Sequence, residues 1–201
     1  MSIEKIKKQI QDSINVKEDL ISDTAITENI YELTNLCIKS LERGGKIIFF
    51  GNGGSFSDAQ HLSAELTGRY AFDRGALASV VLGANNSSIS AIGNDFGFEK
   101  VFSREIEAIA ETKDFLIGIT TSGNSKNVIE AIKCANSLKI NSYILTGQSG
   151  GDINNLTKCI NVPSEITARI QECHIMIGQI VCGLIEEHFF PIEAEKYYSD
   201  L

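Results

Sequence analysis

Apolar residues recur along this chain in two rhythms, helical spacing and short unbroken runs. Ile3, Ile6, Ile10, Ile14 and Val16 mark a helix over residues 3–19. Ile30, Leu33, Leu36, Cys37 and Leu41 mark a second over 27–43, which stops at Gly44-Gly45. Five short runs then read as strands: 46–50, 78–82, 114–119, 141–145 and 159–162. Between them, helices are expected from an N-cap at Ser55 to about Tyr70, over 99–110 and over 126–138, with a helical turn at 89–92 closed by Gly93 and a turn at 94–98. A last long helix begins near Glu165 or Thr167 and runs to His188, and the polar tail from Pro191 reads as loose.

Strands that alternate with helices predict an α/β fold with a parallel, doubly wound sheet and right-handed crossovers. No repeat, linker or change of composition divides the 201 residues, so one domain is expected: N-terminal helices over 1–44 and an α/β core over 45–190. The two extra helices either pad the sheet or pair with another subunit, and the second is the favoured expectation.

A hydrophobic content of 43% and a charged content of 22% exclude a disordered chain. The formal net charge of −8 argues against nucleic acid or an anionic membrane as the partner, so a bound phosphate must be held by local amides and hydroxyls. No run approaches the roughly 20 apolar residues of a membrane span, and the amphipathic start MSIEKIKKQIQDS lacks a secretory core. The five cysteines contain no C-x-x-C and fall mostly in apolar pattern. Buried thiols and a cytoplasmic location are the expectation.

Two segments carry candidate chemistry. Gly51-Asn52-Gly53-Gly54-Ser55 joins a strand to a helix, and glycine there lets the backbone turn and bring its amides to an anion. It is neither G-x-x-x-x-G-K-[ST] nor G-x-G-x-x-G. His61 and Glu65 follow at a spacing of four, on one helix face, as an acid–base or metal pair or else a solvated pair. Thr120-Thr121-Ser122-Gly123-Asn124-Ser125 ends a strand and opens a helix, where hydroxyls and helix-start amides can cradle a phosphate without a lysine. The alternative is a capped turn in which Ser122 and Ser125 serve only the backbone. The segment Arg169 to His174 reads by itself as a helix surface.

Together GNGGS-x-x-DAQH-x-x-x-E-x-x-x-R (Gly51 to Arg69), AIGNDFGFE (Ala91 to Glu99), TSGNS (Thr121 to Ser125), VPS (Val162 to Ser164) and RIQE-x-H (Arg169 to His174) resemble the sugar isomerase (SIS) domain and, more narrowly, the phosphoheptose isomerases. The resemblance covers nearly the whole chain. It implies a three-layer α/β/α fold with a five-stranded parallel sheet, and a homotetramer with active sites at subunit interfaces. It also implies conversion of sedoheptulose 7-phosphate to D-glycero-D-manno-heptose 7-phosphate through an enediol, toward heptose for lipopolysaccharide or capsule. Carried over, Thr120, Thr121, Ser122 and Ser125 hold phosphate. Asn52, Gly53, Gly54, Ser55, Arg69, Asn94, Asp95 and Gln171 line the substrate, and Glu65 is the base.

A zinc ion per subunit is implied at His61, Glu65, Gln171 and position 179. Family members carry a histidine at that last position, as zinc ligand and second acid–base group; here it is Gln179. An amide has no proton to exchange near neutral pH and is a poor zinc ligand beside imidazole. Ala168 is a second departure, where the isomerases often carry a polar or acidic residue. Two other readings stay open: a non-catalytic SIS tetramer that binds a protein partner, resembling the DnaA initiator-associating proteins, and an isomerase for another phosphosugar.

Overall fold

The computed structural model describes residues 2–199. Two helices, α1 (Ile3–Ser22) and α2 (Thr24–Glu42), meet at Asp23, which ends the first and caps the second through Oδ1, accepting from Ala25 N at 2.9 Å. The strands β1 (Ile47–Gly51), β2 (Ser79–Val81), β3 (Phe115–Ile119), β4 (Asn141–Gly147) and β5 (Lys158–Val162) pair in the order β2-β1-β3-β4-β5, all parallel. The helices α3 (Gly54–Thr67), α4 (Asn86–Phe96), α5 (Val101–Ile109), α6 (Lys126–Ser137), α7 (Thr167–Phe189) and α8 (Pro191–Ser199) complete the chain.

Period-two alternation along the buried strands sends neighbours to opposite faces. Ile47, Phe49, Phe115, Ile117, Tyr143 and Leu145 join α2, α3 and α7 in one core. Ile48, Phe50, Leu116 and Ile144 join α5 and α6 in the other. A sheet covered on both sides explains why its strands read as apolar runs. This is the three-layer α/β/α architecture expected.

Three local expectations change. The helix after the glycine loop is capped by Gly53, not Ser55, and Ser55 is buried inside its first turn. The helix near Ile89 runs from Asn86 to Phe96, straight through Gly93, because Asn85 caps it by accepting from Ser87 N and Ser88 N. Asn94 and Asp95 therefore lie on its last turn instead of in a loop. Beyond Pro191 the chain forms α8 and buries Ala194, so the described part of the tail is ordered by packing and not loose. Of the two N-terminal helices, α2 pads the sheet with Ile26, Ile30, Leu33 and Cys37, whereas α1 leaves Ile3, Ile6, Ile10 and Ile14 exposed. The apolar stripe of α2 is thus used within the chain, as padding for the sheet. Arg169 and Glu172, which look like surface residues, hold α1 in place: Ser13 Oγ donates to Glu172 Oε2 at 2.6 Å, and Arg169 donates to Gln9 O at 2.5 Å.

Two buried polar arrangements fix α7. His174 is fully buried and its Nε2–H donates to the carbonyl of Thr146 on β4 at 3.1 Å. Burial pushes its pKa down to about 4, only partly offset by that hydrogen bond, so the ring is neutral. Toward the other end, Glu186 accepts from Tyr70 N at 2.7 Å, Ala71 N at 2.8 Å and Arg74 Nε at 2.9 Å. Arg74 also donates to the carbonyls of Glu65 and Leu66, which closes the C-terminus of α3.

Removing one partner of this buried pair leaves an uncompensated charge, so Glu186→Gln should cost about 3–5 kcal/mol of unfolding free energy, read as a lower denaturant midpoint with an unchanged slope. His174 supplies a pH signature. Its folded pKa lies below the ordinary 6.5, so the unfolded chain binds the extra proton between pH 6.5 and about 4, and stability falls as the pH drops through that window. The contribution is on the order of 3 kcal/mol, from about 2.5 pH units at 1.36 kcal/mol each. His174→Gln should lose that part of the pH dependence in a series of unfolding curves.

Candidate active site

The sheet order reverses between β1 and β3, and the crevice at the carboxyl ends of those strands is where an open parallel sheet binds ligands. Asn52, just past β1, and Asn127, in the first turn of α6, bridge this crevice with two reciprocal amide bonds of 2.8 Å. Asn127 was not singled out from sequence, where it looks like any helix-start amide. Its Oδ1 also accepts from Val128 N at 3.0 Å, which ties the bridge to α6.

The Thr120–Ser125 loop lies beside the bridge. Thr120 is buried, and its hydroxyl pairs with Ser125 Oγ at 3.3 Å. Ser125 makes no capping bond to the backbone of α6, so its hydroxyl is not spent on the turn. Ser122 is partly spent, accepting from Asn124 N at 3.2 Å. Thr121, Ser122 and Asn124 line a cavity of about 290 Å³ together with Gly147, Gln148, Ser149, Ser164, Glu165, Thr167 and Ile170. None of these lining residues is cationic. The contributions of Gln148, Ser149, Ser164 and Thr167 were missed, although the small polar segment after β4 and the Val162-Pro163-Ser164 motif signalled their position.

The start of α3 meets the start of α7 here. A side chain at Gly54 would come within 2.5 Å of Gln171 Nε2, so glycine is required for Gln171 to lie across the loop. Two turns on, Gly178 of α7 admits Leu62 of α3, whose methyls would stand 2.3–2.6 Å from an added Cβ. These contacts run in the same order along both helices, so α3 and α7 pack in parallel, with the sheet behind them.

His61 and Glu65 sit on the outer part of α3, with His61 Nε2 2.8 Å from Glu65 Oε1 and side-chain exposures of 50% and 18%. They form one unit, as their spacing implied. Asp58, one turn earlier, has a buried Oδ2 with no partner. Burial raises its pKa, and the nearby His61 offsets this in part. Gln179 is half-buried, one position past the Gly178 contact.

Not every expected residue converges. Glu65 lies 11 positions beyond Gly54, about 16 Å of helix rise. Arg69 lies beyond the far end of α3, exposed, donating to Ala71 O at 3.4 Å. Asn94 and Asp95 are exposed on α4 and bond to each other at 2.8 Å. Gly53 is exposed at the start of α3.

The donors at the implied zinc positions are one imidazole, one carboxylate and two neutral amides. Among the described residues no three of His, Cys, Asp and Glu converge as metal ligands, Asp58 included. Zinc is held by thiolate, imidazole and carboxylate, usually three of them at least, so this set does not fit it.

Known proteins resemble the chain over nearly all its length. The SIS domain family model matches residues 8–147. The phosphoheptose isomerase of Sulfurimonas denitrificans is 43% identical over 186 residues, 92% of this chain and 95% of that protein. That of Aneurinibacillus thermoaerophilus is 45% identical over 92% of this chain and 94% of its own. The solved structure of the phosphoheptose isomerase of Neisseria gonorrhoeae superposes with a TM-score of 0.85 at 40% identity, covering 92% of this chain and 98% of that one. Identity above 40% over nine-tenths of the chain, on the same three-layer sheet with a cavity at the carboxyl ends of β3, β4 and β5, places the chain in a family: it belongs to the phosphoheptose isomerases of the SIS domain family.

Proposed function

We propose that this protein is a phosphosugar aldose–ketose isomerase acting on sedoheptulose 7-phosphate to give D-glycero-D-manno-heptose 7-phosphate. The observation that carries the reading is the cavity beside the Thr120–Ser125 loop, lined mostly by hydroxyls and amides with the carboxylate of Glu165 at one side, in a chain 43–45% identical to phosphoheptose isomerases. A terminal phosphate suits that cavity, with Thr120, Thr121, Ser122, Ser125 and the start of α6 as donors. Asn52, Gly53, Gly54, Ser55 and Gln171 line the path of the sugar. Glu65 is the base. It takes a proton from C1, whose C–H electrons form the C1–C2 double bond while the carbonyl π pair moves onto the C2 oxygen, which takes a proton from water. The C1 hydroxyl then gives its proton to water as the C1 carbonyl forms, and the double-bond electrons take the proton back from Glu65 at C2. Gln171 and Gln179 can hydrogen-bond sugar hydroxyls but cannot exchange a proton.

A single chain leaves Glu65 as well as Arg69, Asn94 and Asp95 away from the Thr120–Ser125 cavity, which supports a site completed by a second copy, within a homotetramer. The exposed Ile3, Ile6, Ile10 and Ile14 of α1 support the same assembly. Five unpaired cysteines support a reducing cytoplasm, and the product would serve heptose synthesis for lipopolysaccharide or capsule. The loss of the family histidine at position 179 favours one competing reading, a non-catalytic tetramer of the DnaA initiator-associating type.

Turnover of sedoheptulose 7-phosphate in deuterated water decides between them. An isomerase should form the aldose and wash solvent deuterium into it. Glu65→Gln should lower kcat on the order of 10²- to 10⁴-fold, and Ser122→Ala should act mainly on KM. Binding of the sugar phosphate without turnover would favour the partner-binding tetramer.

A further inference from the structure

The family resemblance assigns a zinc ion to a donor set that this chain supplies only in part. His61 and Glu65 are the imidazole and anionic members, and they already bond to each other at 2.8 Å. A metal would have to break that contact and replace it with two ligands. The remaining positions, Gln171 and Gln179, offer neutral amides. An amide oxygen is a weaker zinc donor than imidazole, so the set holds only two strong donors.

Among the described residues of the chain, none supplies what Gln179 lacks. The chain has three histidines. His174 is buried with Nε2 bonded to Thr146 O at 3.1 Å, on the sheet side of α7. His188 faces Glu42 at 3.1 Å, beyond the far end of α3. Cys182, the thiol nearest on α7, is fully buried and turned toward the carbonyl of Leu62 at 3.7 Å. Gln171 is held across Gly54 at the opposite end of the α3–α7 contact. The packing of Leu62 into Gly178 fixes the two helices, so they cannot slide to bring another donor in.

We infer that this chain does not keep zinc as a resident cofactor, and that the amide at position 179 is the reason. The inference rests on the isomerase reading for the reaction concerned, but not for its test. Loss of an outer-shell partner alone costs a metal site about 10–100-fold in affinity, so replacing a ligand should cost at least about 100-fold.

The full-length protein, Gln179→His and Gln179→Glu are equilibrated with zinc, desalted and assayed for bound metal by mass spectrometry. Affinities are then measured by competition with a chromophoric chelator, and folding is checked by circular dichroism. The wild type should retain far less than one zinc per chain. At least one folded variant should bind at least about 100-fold tighter, and adding His61→Ala to it should abolish the gain. Turnover by the wild type should be unchanged by chelator. Near-stoichiometric zinc in the wild type, or equal affinity in the wild type and folded variants, overturns the inference. A zinc-free wild type without turnover still supports it and removes the isomerase reading instead.

Discussion

The parallel contact between α3 and α7 is the constraint on which the candidate site depends. Glu65 and His61 ride on α3, Gln171 and Gln179 on α7. Rotation is set by shape: Leu62 enters the space left by Gly178, and Gln171 crosses the space left by Gly54. Polar groups then lock the ends, with His174 on β4 and Glu186 gathering the segment that follows α3. Burying a carboxylate is costly, but Glu186 has three donors, and breaking one of them would release the C-terminus of the helix that carries Glu65.

The second constraint is the sheet. Its reversal between β1 and β3 brings two loops that are 70 residues apart in sequence to one crevice, and the Asn52–Asn127 bridge holds them at a set width. In a parallel sheet buried on both faces, the carboxyl ends of the strands are where loop amides lie open to a ligand.

Much of this was legible beforehand because its causes are local. Buried strands announce themselves as apolar runs, the spacing of four put His61 beside Glu65, and the hydroxyl loop sat where a strand hands over to a helix. What escaped notice depends on partners distant in sequence. Asn127 gains meaning only from Asn52, and Arg169 and Glu172 only from α1. The extension of α4 through Gly93 reflects a strong cap at Asn85 that outweighs the cost of one glycine. Ser55 looked like a helix cap but is drawn into the first turn, where it is buried. The same limit applies to Arg69, Asn94 and Asp95: their grouping in the motif does not become a grouping in space within one chain.

The cavity beside Thr120–Ser125 has no cationic lining residue, in a chain whose net charge is −8. Amide and hydroxyl dipoles act over a few ångströms, whereas the surface charge reaches out to the Debye length, about 10 Å at 0.1 M salt. A doubly charged sugar phosphate is therefore repelled on approach and attracted only on arrival. Encounter should become faster as ionic strength rises, the reverse of what lysine- and arginine-lined phosphate sites show. Discrimination in such a site comes from the directions of its donors, and long-range attraction plays no part in it.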